Sequence, residues 1–135
     1  MQPHILLALV SLAAALTYLV LGINVGRVRH ACGIMAPQMT GHPRLERAIR
    51  VHYNTLEWLP LFLLSLWMFG LYWNERVAAI LGVVWILARI GYAVGYMADP
   101  NKRAAGFAIQ ALVTLVLLLG ALGRLIWLAA TLGTT

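Results

Sequence analysis

Four long apolar runs separated by short polar connections constrain this chain more than any other feature: about His4 to Gly26, Arg44 to Trp73, Glu75 to Met97, and Arg103 to Leu132. A bilayer core about 30 Å thick needs helices of about 20 residues. Four such spans use nearly all of the 135 residues, so residues 1–135 are expected to form one domain with no room for a second. With 62% of residues hydrophobic and 10% charged, the chain carries more apolar surface than a small soluble domain can bury. Runs rich in Leu, Ala and Val lack the alternation of a lipid-facing barrel strand, and only helices then close their own backbone hydrogen bonds in lipid. The expected fold is all-α, an integral membrane bundle of four transmembrane helices.

The first run lies near the N-terminus, as a secretion signal would. It lacks a basic leading segment and is too long, so it reads as a retained span. The single cysteine, Cys32, has no second cysteine to pair with and implies neither a disulfide nor a metal site. A net charge of +6 would suggest nucleic acid in a soluble protein. Here the charges flank apolar spans, so they read as topology signals and no nucleic-acid partner is expected. Arg27, Arg29, Arg44, Arg47, Arg50, Lys102 and Arg103 fall at two connections on one side, against Arg76 at the opposite connection. The positive-inside rule therefore puts the basic connections in the cytoplasm and both termini on the other side. Tyr72, Trp73 and Trp127 fall at the opposite interface, where amphipathic rings belong.

Polar residues inside the spans are the functional signal. Arg50, Asn54 and Glu57 are spaced i, i+4, i+7 on the second helix and share one stripe. Glu57 lies about 20 Å along that helix from Arg44, at 1.5 Å per residue, deep enough that an unpaired carboxylate would be costly. A structural ion pair with Arg50 or Arg89 would meet that cost, as would a cationic group on a ligand. Arg89, Tyr92 and Tyr96 form a second stripe at i, i+3, i+7 on the third helix. Gly91 and Gly95 make a small-xxx-small pair beside it, read as close helix packing. Pro60 removes one backbone donor inside the second helix and is expected to kink it.

Asp99, Pro100 and Asn101 supply the turn and caps that begin the fourth helix, with Arg103 in its first turn. Unsatisfied N–H groups already give that turn a partial positive charge, so an arginine there is locally unfavourable for the helix. The second helix begins on the same side. Two helix N-termini thus converge with several arginines, an arrangement suited to an anion. A small anionic peptide, with carboxylates for the arginines and an ammonium for Glu57, fits the pattern. Lys102 is read as topology alone.

Arg50-x-x-x-Asn54-x-x-Glu57 followed by Pro60, Arg89-x-x-Tyr92-x-x-x-Tyr96, and a basic residue opening the fourth helix together resemble the MAPEG superfamily, the membrane-associated proteins of eicosanoid and glutathione metabolism. The resemblance covers the whole chain. It implies a homotrimer that binds glutathione, and no metal, between neighbouring subunits near the cytoplasmic side. By the same resemblance Arg50, Asn54, Glu57, Tyr92 and Tyr96, with Arg29 and Arg89, contact glutathione, and Arg103 holds its thiol as the thiolate. The leukotriene-forming branch has consecutive arginines where this chain has Arg29 and His30, which argues against a leukotriene-specific role. That branch has glutamine where His52 stands, and His52 points away from the Arg50 stripe, toward a neighbouring subunit or solvent.

The resemblance implies a glutathione transferase acting on a lipophilic electrophile that arrives from membrane lipid, with peroxidase or isomerase activity as variants of one chemistry. Two other readings remain open. One is a non-enzymatic lipid-binding or scaffold protein of the same superfamily, which would not need Arg103. The other is a small four-helix transporter. Such transporters commonly carry a carboxylate in the first helix, and this first helix has none.

Overall fold

The computed structural model describes residues 4–132. Four helices run through them: α1 (Ile5–Cys32), α2 (Pro43–Tyr72), α3 (Glu75–Ala98) and α4 (Ala104–Leu132), with a 3₁₀ turn, Pro100–Arg103, leading into α4. All four are long and apolar enough to cross a membrane. The short connections make neighbours antiparallel. Helices α2 and α3 each pack against the other three.

The helix boundaries follow local chemistry. Helix α1 continues six residues beyond Gly26, because the apolar run ends there but nothing breaks the helix until Gly33. Gly33 adopts a left-handed φ of 67°, which glycine takes without a Cβ clash, and the N–H groups of Gly33 and Ile34 return to the carbonyls of His30 and Arg29. Helix α2 opens with Pro43 in its first turn and His42 Nδ1 accepting from the Arg44 N–H. It continues past Pro60 to Tyr72. Asn74 caps α3 by accepting from the Val77 N–H at 3.0 Å, and Asp99 caps the 3₁₀ turn by accepting from Asn101 at 3.0 Å. Arg103 therefore closes this turn and does not lie within α4 itself.

The core lies in the half of the bundle away from the basic connections. Phe62 of α2 stacks on Trp85 of α3 with ring centroids 4.0 Å apart, beside Leu7, Leu66 and Leu117. Two indole N–H groups in this half find partners within the bundle: Trp67 donates to Ser11 Oγ at 2.9 Å, and Trp85 to Thr114 Oγ1 at 3.1 Å. At that end Glu75 accepts from the Leu6 N–H and pairs with His4. Arg124, a second basic residue on this side, donates to the Tyr72 carbonyl and lies over the Trp127 ring. Tyr72, Trp73 and Trp127 are exposed, as interfacial rings should be.

The small-residue reading needs one correction. A Cβ at Gly91 would meet nothing within 4 Å, whereas one at Gly95 would fall 2.7 Å from the Lys102 carbonyl oxygen. The tightest approach to another helix's backbone is made by Gly106, where a Cβ would lie 2.5 Å from the Tyr92 nitrogen and 2.7 Å from the Ala88 oxygen. Backbone meets backbone there, and no rotamer change can relieve a clash. Gly106→Ala is expected to destabilise the protein by about 1–3 kcal/mol, seen as a lowered melting temperature in detergent, whereas Gly91→Ala should leave it unchanged or slightly higher. Equal behaviour of the two variants would contradict this packing.

Candidate anion-binding site between the second, third and fourth helices

The close approach at Gly106 lays the beginning of α4 along α3 and brings Arg103 and Phe107 toward Tyr92. With Arg50 and Asn54 of α2 these residues, and Ala104, line one cavity of about 410 Å³. Arg50 and Arg103 are exposed, Asn54 is half-buried and Tyr92 is buried. Tyr96 stacks on Tyr92 with centroids 5.8 Å apart, and the Arg103 guanidinium sits 5.3 Å from the Tyr96 ring. The phenols thus hold the face over which Arg103 lies. Neither the Arg50 nor the Arg103 guanidinium has a hydrogen bond or ion pair with another described residue, which leaves both cations available to a ligand.

The other wall is aromatic. Phe107 meets Trp58 edge-on at 5.6 Å and tilts toward Tyr92 at 6.2 Å. Reading the sequence by its charged residues missed Phe107. It stands four residues after Arg103, across the junction of the 3₁₀ turn and α4, and lines the same cavity; on the helix expected to begin before Arg103, that spacing could have found it. Two cations and an aromatic wall around one cavity suit an anion with an apolar portion.

Glu57 does not form the expected ion pair with Arg50 or Arg89. Among the described residues its carboxylate accepts from Asn54 Nδ2 at 3.2 Å and is otherwise exposed on the surface of the single chain. Arg89 is fully buried behind the cavity, where Nη1 donates to Asn54 Oδ1 at 2.9 Å. Its guanidinium lies 4.8 Å from the Tyr92 ring and 5.4 Å from that of Trp85. Its Nε and Nη2, like both amide atoms of buried Gln110, have no hydrogen-bond partner among the described residues. Arg29 lies outside the cavity, at the end of α1, and donates to the Gln38 carbonyl. His52 is half-buried and turns toward its own chain, stacked on Tyr18 of α1 with centroids 4.5 Å apart. Arg47 spans from α2 to the Met97 and Ala98 carbonyls and caps α3. A larger cavity at the far end, about 570 Å³, is lined by Arg76 and by His4 and Glu75, which pair with each other.

Comparison with known proteins agrees with the motifs. Residues 7–123 match the MAPEG family. Microsomal glutathione S-transferase 2 of Homo sapiens is 39% identical over 120 residues, covering 88% of this chain and 82% of its own. Leukotriene C4 synthase of Cavia porcellus is 37% identical over 121 residues, covering 89% and 81% respectively. An uncharacterized protein of Synechocystis sp. is 49% identical over 120 residues, covering 89% and 88%.

The contrast between exposed and buried arginines has a measurable consequence. Arg50→Ala and Arg103→Ala should each change stability by no more than about 0.5 kcal/mol. Arg89→Ala, which leaves a cavity and frees the Asn54 amide, should cost about 2–4 kcal/mol. Thermal unfolding in detergent reads the difference, and a large loss for Arg103→Ala would contradict the site as described.

Proposed function

The chain belongs to the MAPEG family, and on that premise we propose that it is a membrane-bound glutathione transferase. The observation that carries this reading is the convergence of Arg50 and Asn54 of α2, Tyr92 of α3 and Arg103 of the turn before α4 on one cavity. Relatives named microsomal glutathione S-transferase 2 and leukotriene C4 synthase support it.

In this reading Arg50 pairs with a glutathione carboxylate, Glu57 accepts from the ammonium, and Asn54, Tyr92 and Tyr96 supply hydrogen bonds and shape. Arg103 faces the sulfur. A cysteine thiol ionises at about pH 8.5, and lowering that by about 1.5 units takes roughly 2 kcal/mol of preferential thiolate stabilisation. One arginine at a helix N-terminus, lying over the Tyr96 ring, can supply it. The thiolate attacks a lipophilic electrophile arriving from the bilayer: a sulfur–carbon bond forms, and a leaving group departs or the adduct takes a proton from solvent. The same thiolate suits reduction of a lipid hydroperoxide, with a second glutathione completing the disulfide.

The active unit in this reading is a homotrimer with glutathione between neighbouring subunits. The exposure of Glu57 on the single chain supports it, and Arg29, outside its own chain's cavity, is assigned to a neighbour's site. The basic connections and the site face the cytoplasm, with both termini opposite.

Arg103→Ala tests the reading. The variant should still bind glutathione, while conjugation of a chromogenic electrophile at pH 7 falls more than about tenfold and the pH at which bound thiol ionises rises by about 1.5 units. The deficit should close above about pH 8.5, where glutathione ionises unaided. Wild-type turnover by the variant would remove Arg103 from the chemistry. Binding without turnover in the wild type would favour a scaffold.

A further inference from the structure

Arg89 is a buried cation without a carboxylate beside it. The chain has four acidic residues, and among the described residues none lies within ion-pairing distance of Arg89. Its one hydrogen bond goes to Asn54 Oδ1, at 2.9 Å. A carboxamide is directional: once its oxygen is held by a cation, its N–H groups face the other way. Here Nδ2 faces Glu57 Oε2 at 3.2 Å. Without the guanidinium a half-buried amide could turn over and present its oxygen to the carboxylate, which would repel it. Glu57 is exposed and on a flexible stem, so this one N–H is the contact that selects its rotamer. The guanidinium is held in turn against the Trp85 and Tyr92 rings.

We propose that Arg89 is a positioning residue: by holding the Asn54 oxygen it aims the Asn54 N–H at Glu57 and sets the carboxylate where it reads the ligand's ammonium. Arg89 itself, fully buried, touches no ligand. This rests on the glutathione reading, in which Glu57 receives the amino group. Through the relay, a buried charge on α3 controls recognition of a charge on the ligand without contacting it.

The experiment compares calorimetric affinities for glutathione and for its analogue lacking the α-amino group, using the full chain in detergent. Wild type should prefer glutathione by about tenfold or more, a charge-assisted contact's worth. In Arg89→Met, which fills the space with an apolar chain, the preference should fall to about twofold or less while affinity for the analogue changes less than about threefold. Arg89→Lys, able to donate to the same oxygen, should recover part of the preference. Asn54→Leu cuts the relay with Arg89 in place and should abolish the preference even if Arg89→Met fails to fold. An undiminished preference in Arg89→Met or Asn54→Leu, or equal weakening of both ligands in Arg89→Met, overturns the proposal. Absence of glutathione binding to wild type overturns the glutathione reading instead, before any variant is measured.

Discussion

A guanidinium removed from water must be met by hydrogen bonds, by opposite charge or by aromatic faces, and inside a lipid-solvated bundle there is no water to substitute. Arg89 imposes that requirement at the junction of α2 and α3. Its bond to Asn54 is the polar contact that ties these two helices at the level of the cavity, and its rings come from Trp85 and Tyr92. Because Tyr92 also lines the cavity and Asn54 also holds Glu57, accommodating one buried charge organises groups on both helices. Stability and site geometry are coupled at a single residue.

The fourth helix joins this arrangement by a different force. Gly106 lets the backbones of α3 and α4 touch, which suits a membrane bundle, where dispersion between close surfaces replaces the hydrophobic effect as the source of association. The 3₁₀ turn capped by Asp99 then delivers Arg103 over Tyr96. The result is a site whose cations are exposed and whose supports are buried. Arg50 and Arg103 border the cavity with their charges exposed, and buried Arg89 holds Asn54 behind it.

Much of this was legible in the sequence because the bilayer reduces the choices. Hydropathy alone marks four helices, and the i, i+4, i+7 spacing of Arg50, Asn54 and Glu57 fixes their common face. What could not be read depends on which faces meet. Gly91 and Gly106 look alike in sequence, and only the packing makes the second a contact between backbones. Arg89 sits in register with two tyrosines and so reads as a ligand contact, yet the same register turns it inward to Asn54. The extension of α1 to Cys32 escaped the apolar criterion because a helix can leave the membrane and continue. His52 stacks on Tyr18 of α1, a contact between helices that spacing along one helix does not reveal.

The glutathione site is the claim on which the functional account stands, and a structure of the purified protein with glutathione tests it most directly. Glutathione should lie in the cavity bordered by α2, α3 and α4, with a carboxylate on Arg50, the ammonium on Glu57, and the sulfur within about 3.5 Å of the Arg103 guanidinium. Glutathione bound elsewhere, or bound there with its sulfur turned away from Arg103, would contradict it.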